Sequence, residues 1–143
     1  MRYDTVFFDC DGTLVDTEMM IVELVRGWCA EAGCPVDRHQ GVRMVVGISW
    51  AATYHAIGQH LRAHGQDLDD AAVEHELHRR LAPRHFDPAL VIPSTAAALR
   101  RAAALLPVDV VSGSTPAQVE RHLENAGVRP LVRRIIGDGM YSA

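Results

Sequence analysis

The sequence predicts an α/β fold built on a parallel sheet, with an all-helical segment inserted after the first strand. Three observations carry that expectation. Short apolar runs near residues 4–8, 108–111 and 131–136 have the length of strands buried in a parallel sheet. Helix-patterned segments separate these runs. Polar residues stand where each run ends: Asp9 and Asp11, then Ser112, then Asp138. Parallel α/β sheets bind ligands along that carboxyl edge.

Each element has its own justification. The run DTVFF at residues 4–8 reads as a strand with both faces covered, broken by Gly12-Thr13. A helix begins near Thr17, with Ile21, Leu24, Val25 and Trp28 at helical spacing and Gly33 with Pro35 as its stop. From Asp37 to Phe86 the pattern stays helical, interrupted at Gly47-Ile48-Ser49 and at His64–Asp67. Ser49 is the expected N-cap of the helix carrying Ala52, Ile57 and Leu61. Residues 94–106 form a further helix by propensity, with Ser94 as its cap. After the strand Val108–Val111, Thr115-Pro116-Ala117-Gln118 reads as a capping box with proline at the first helical position. That helix runs to Asn125 and stops at Gly127, and a third strand covers roughly Leu131–Ile136.

Composition narrows the class. The 143 residues suit one domain of ordinary size, and 48% hydrophobic with 22% charged residues fits a soluble globular protein. A net charge of −4 gives no basic footprint for nucleic acid or an anionic membrane. The acids of MRYDTVFFDCDG rule out a signal peptide, and no apolar run reaches membrane-spanning length. Cys10, Cys29 and Cys34 make an odd count without CxxC spacing, which points to a reducing cytoplasm. All 14 basic residues are arginine.

Two aspartates one residue apart at the mouth of a strand are costly unless a cation or chemistry uses them. A magnesium ion would offset their repulsion, since hard cations prefer carboxylate and carbonyl oxygens. One carboxylate, held ionised, can then act as a nucleophile while the other cycles a proton. Phosphoryl transfer needs that combination, with donors to spread charge on the phosphoryl oxygens. Ser112-Gly113-Ser114, between a strand and a capped helix start, offers N–H groups, a helix dipole and a hydroxyl.

Other patterns carry less. An EF-hand also starts D-x-D, but Leu14 stands where its glycine belongs. His75-Glu76-Leu77-His78 is one residue short of H-E-x-x-H. His55, His60 and His64 share part of a helix face without partner ligands, which reads as solvated surface. Cys10 is expected to pack inward, and Arg79-Arg80 and Arg133-Arg134 to be solvated.

At Val6–Thr13, an apolar strand followed by D-x-D-G-T, the sequence closely resembles the haloacid dehalogenase-like hydrolase superfamily. The continuation Leu14-Val15-Asp16-Thr17-Glu18 is similar to the branch with β-phosphoglucomutase and small sugar-phosphate phosphatases. Val108–Ser112 matches the second motif, a strand ending in Ser or Thr. The resemblance implies a three-layer Rossmann-like core at residues 1–17 and 87–143, incomplete here, and a helical cap at 18–86. It implies Asp9 as nucleophile forming an aspartyl-phosphate, and Asp11 as general acid/base with its backbone carbonyl on Mg²⁺. Asp9 and Asp11 are thus the metal residues, and Ser112, Gly113 and Ser114 the phosphate-binding ones. In the cap, Glu18 and the loop residues Gly47, Ser49 and Trp50 are the substrate candidates.

The resemblance also calls for a third-motif lysine and further acids after the third strand, and the chain contains no lysine. Asp138 comes too soon after Ser112 to be the fourth-motif acid. The expectation is therefore an N-terminal part of a longer protein, with little turnover alone and the remaining C-terminal part as a partner. The resemblance implies a central first strand with later strands pairing on its other side; without them it presents an open edge. The function expected is Mg²⁺-dependent hydrolysis of a small phosphorylated metabolite, a sugar or sugar-acid phosphate. The alternatives are a phosphomutase, which the tryptophan after Ser49 disfavours, and a non-catalytic phosphate- or partner-binding fragment.

Overall fold

The computed structural model describes residues 3–140. They divide into two compact units, residues 3–17 with 86–140, and Glu18–His85. In chain order the elements are β1 (Val6–Asp9), α1 (Thr17–Glu31), α2 (Arg38–Val45), α3 (Trp50–Ala63), α4 (Asp70–Leu81), α5 (Pro93–Ala103), β2 (Val108–Val111), α6 (Pro116–Asn125) and β3 (Val132–Ile136). No helix is long and apolar enough to cross a membrane among the described residues.

The first unit is α/β. Its strands form one parallel sheet in the order β1-β2-β3, with Asp9 level with Val111. Both crossovers step the same way along the sheet, so right-handed connections put α5 and α6 on one face. There Ala96 and Leu99 of α5 and Val119 and Leu123 of α6 bury a shared core with Cys10, Val108, Val110 and Val132.

Strand β1 departs from the expectation of two covered faces. Its burial alternates: Val6 and Phe8 pack against the core, while Phe7 is 59% exposed and Asp9 is exposed. The described helices of this unit cover one side of the sheet, so β1 shows the period of a half-buried strand. Helix α5 also differs at its start. Ile92, not Ser94, takes the N-cap position, with no side-chain bond, and Pro93 opens the helix. Proline suits that position because its ring presets φ and it lacks an N–H to leave unpaired.

Strand β3 carries an irregularity. Val132 pairs with Val108, yet Arg134 rather than Arg133 pairs with Asp109, so one residue is extra. Two consecutive arginines therefore oppose one aspartate, as at a β-bulge. Arg133 Nη2 and Arg134 Nη2 donate to Asp109 Oδ2 at 2.7 and 2.6 Å. The two arginines are solvated as expected, 45% and 60% exposed, and in addition they pair with a fully buried carboxylate. Their hydrogen bonds, Arg133 first, hold the Asp109 carboxyl well below the usual carboxylate range against the opposing effect of burial.

The chain leaves this unit and rejoins it at one place. Val15 bridges Val91 in antiparallel fashion, with Asp16 N–H donating to Leu90 O and Ile92 N–H to Leu14 O at 2.8 and 2.9 Å.

The second unit is all helical. Val22, Val25 and Cys29 of α1, Ile57 and Leu61 of α3, and Val73 and Leu77 of α4 are its innermost core residues. Ser49 caps α3 by accepting from Ala52 N–H, and Asp37 with Gln40 forms a capping box on α2. Arg79 and Arg80 both pair with Glu76, and Arg80 reaches Glu31 as well, so this arginine pair is engaged rather than simply solvated.

Candidate active site

The end of β1 folds into a tight turn around one carbonyl. The N–H groups of Thr13, Leu14 and Val15 all point to Cys10 O, and Gly12 takes φ 73°, which an L side chain adopts only with strain. This turn holds Asp9 and Asp11 at the carboxyl edge of the sheet and turns Cys10 into the core, where it is fully buried. Burial, followed by the charges of Asp11 and Asp9, pushes the Cys10 thiol up to about 12. The cysteine between the acids is thus no nucleophile.

The two carboxylates have different surroundings. Asp9 is exposed, and Oδ2 accepts one hydrogen bond, from Thr13 Oγ1 at 3.1 Å. Asp11 is half-buried and accepts three. Thr17 Oγ1 donates to Oδ1 at 2.9 Å, and Ser112 Oγ and Ser114 Oγ donate to Oδ2 at 2.9 and 2.7 Å. One acid is open to an incoming group, and its neighbour is fixed by hydroxyls. That contrast suits a nucleophile beside a proton-transfer group.

The loop after β2 is built just as tightly. Ser112 continues the ladder through its N–H to Ile136 O, and its hydroxyl accepts from Ser114 N–H at 3.0 Å. Gly137 lies directly beneath: a Cβ there would meet Ser114 O at 2.6 Å and Pro116 N at 2.9 Å. Thr115 caps α6, and its N–H is taken by Gln118 Oε1. The expected cradle of open N–H groups is therefore narrower than the sequence suggests. The amides of Ser112, Ser114 and Thr115 already have partners within the protein.

Asp9, Asp11, Ser112, Gly113 and Ser114 thus lie at neighbouring strand ends. Asp138 follows β3, one strand further along the sheet, and its carboxylate accepts from Gly139 N–H. The cap candidates belong to the helical unit. Glu18 is in the first turn of α1, Gly47 has φ 73°, Ser49 is the α3 cap, and Trp50, 42% exposed, stacks on Tyr54. Two site residues escaped the sequence reading, the hydroxyls of Thr13 and Thr17. Their signal was the pair of threonines spaced four and six residues from the acids they bind.

Magnesium fits the donors present. The carboxylate of Asp9 is open, and no described residue donates to the backbone carbonyl of Asp11, so two hard oxygens are available. Among the described residues no third acidic side chain gathers with them.

The model of the haloacid dehalogenase-like hydrolases matches residues 3–140. The chain belongs to the haloacid dehalogenase-like hydrolase family. No curated protein sequence matches it. Solved haloacid dehalogenase-like structures share its fold. A predicted phosphoglycolate phosphatase from Haemophilus somnus superposes with TM-score 0.76 at 13% identity, over 99% of this chain and 65% of the other. YfnB of Bacillus subtilis, solved bound to magnesium, gives 0.67 at 16% identity, over 96% of this chain and 66% of the other. A family hydrolase from Deinococcus radiodurans with bound phosphate and sodium gives 0.66 at 23% identity, over 94% and 58%. The chain thus spans less than two thirds of the length of these structures.

Proposed function

We propose that this family member takes part in magnesium-dependent hydrolysis of a small phosphomonoester, a sugar or sugar-acid phosphate, through an aspartyl-phosphate. The observation that carries this reading is the unequal pair at the end of β1: Asp9 open with one hydroxyl partner, Asp11 clasped by three. An Asp9 oxygen attacks phosphorus and the ester P–O bond breaks, with Asp11 giving a proton to the leaving alcohol. Water then attacks phosphorus, Asp11 takes its proton, and the P–O bond to Asp9 breaks to release phosphate. Magnesium, held by Asp9 and the Asp11 carbonyl, would neutralise charge on the phosphoryl group. For Ser112 or Ser114 to turn to a phosphoryl oxygen, its hydroxyl must leave Asp11.

The chain contains no lysine to share the phosphoryl charge, so slight turnover is expected of these residues alone. The three cysteines are free thiols, in keeping with a cytoplasmic setting. The test is phosphate release from a panel of sugar phosphates, paired with fluorine NMR of beryllofluoride, which mimics a phosphoryl group on a carboxylate. A bound signal that needs Mg²⁺, persists in Asp11→Asn and is absent in Asp9→Asn supports the reading. Turnover that survives Asp9→Asn, or beryllofluoride binding without Asp9, overturns it.

A further inference from the structure

The helical unit gathers three side chains whose donor atoms are of metal-ligating type. Cys34 Sγ and one ring nitrogen each from His60 and His64 lie within 4.8 Å of one another. Along the sequence His60 and His64 have no partner ligand nearby; in the fold Cys34 lies beside them. His55, grouped with them by sequence, instead pairs with Asp70 at 2.9 Å.

Two helix ends bring the three residues together. Helix α1 closes with Gly33 at φ 77°, Gly33 N–H on Ala30 O and Cys34 N–H on Cys29 O, the bonds of a Schellman motif. Helix α3 closes the same way around Gly65 at φ 85°, with Gly65 N–H on Arg62 O and Gln66 N–H on Leu61 O. Cys34 is the residue after one left-handed glycine, and His64 is the residue before the other. His60 stands one turn earlier on α3. The backbone positions of all three are therefore set by ordered hydrogen bonds rather than by a loose loop.

Each ring is fixed by a backbone carbonyl. One nitrogen of His60, Nε2, is 2.9 Å from Cys34 O, and one of His64, Nδ1, is 2.8 Å from His60 O. A carbonyl can only accept, so each ring donates there and keeps a lone pair on its other nitrogen. Backbone carbonyls that fix tautomer and ring angle in this manner are the usual outer partners of a ligating histidine. Exposure is graded too: Cys34 is buried, His60 half-buried and His64 exposed.

We infer that Cys34, His60 and His64 form a zinc-binding site that ties the end of α1 to the end of α3. Thiolate and imidazole select zinc over magnesium. Tetrahedral bonds of about 2.0–2.3 Å would set the ligand atoms about 3.5 Å apart, so modest side-chain rotation closes the present spacing. On binding, the Cys34 thiol proton passes to solvent. Cys29 lies outside the mutually close set, which leaves the fourth position to water. The H-x₃-H spacing of His60 and His64 falls within the range of zinc-binding histidine pairs.

The test is titration of chelator-treated protein with Zn²⁺ under reducing conditions and excess Mg²⁺, which occupies the carboxylate site. One zinc per chain is expected, with a higher melting temperature. His64→Gln, an exposed substitution, and Cys34→Ser should each weaken zinc at least about tenfold. Cobalt in place of zinc should show thiolate-to-metal charge-transfer absorption, lost in Cys34→Ser and kept in Cys29→Ser. Circular dichroism of the metal-free variants checks folding, and His64→Gln carries the test where Cys34→Ser fails to fold. Zinc affinity unchanged by His64→Gln, a cobalt complex without the thiolate band, or no stoichiometric binding would overturn the assignment.

Discussion

Ser114 Oγ stands 2.7 Å from Asp11 Oδ2 across a sequence separation of 103 residues. Ser112 makes a parallel contact and also accepts the Ser114 amide. Ser112→Ala therefore removes one donor from Asp11 and the acceptor of an N–H together. The expected loss is about 1–2 kcal/mol, with a smaller loss for Ser114→Ala. Urea unfolding of the two variants reads the difference. Equal losses would show that the Ser114 amide bond adds nothing.

Gly137→Ala should be worse than either. The added methyl would fall 2.6 Å from Ser114 O and 2.9 Å from Pro116 N, and both obstacles are backbone. Neither can swing away, so the loop after β2 or the end of β3 must shift. A cost of about 2–3 kcal/mol is expected. Thermal denaturation measures it, and a wild-type melting temperature would contradict the packing described.

Asp109 sets an acid limit on stability. Its carboxyl is held low by Arg133 and then Arg134, so its folded value lies below the unfolded value of about 3.9. A depressed carboxyl contributes stability that is fully present above the unfolded value and lost as pH falls toward the folded one. Wild type should therefore lose stability steadily below about pH 4. Asp109→Asn should be less stable at pH 7, by about 5 °C in melting temperature, and show a flatter acid profile. Melts at several pH values compare the two slopes.

Thr115→Ala tests the cap that ends the serine loop. Thr115 Oγ1 accepts Gln118 N–H, and Gln118 Oε1 accepts Thr115 N–H. Loss of the cap should cost about 1 kcal/mol, and Thr115→Ser should restore most of it.

Much of this was legible in the sequence because local chemistry decided it. Thr115-Pro116-Ala117-Gln118 forms the capping box its residues spell, and Ser49 caps α3 as its position suggests. The acids and the serine loop meet because three short apolar runs share one parallel sheet. What escaped depends on register and on distant turns. An adjacent arginine pair looks solvated, and is, but only a bulge reveals that both members also face Asp109. Phe7 belongs to an apolar run, but only the side of the sheet taken by the helices shows that it stays exposed. Cys34 and His60 are 26 residues apart, and only two helix-ending turns bring them together.

The clasp between Leu14–Asp16 and Leu90–Ile92 closes the stem of everything between them. A closed stem makes the helical unit a side branch of the α/β core rather than a link in it. Loop closure costs only about 0.6 kcal/mol for each doubling of length, so the branch can grow, shrink or be exchanged cheaply. In evolutionary terms the acidic edge and the helical branch are separately editable parts of one chain.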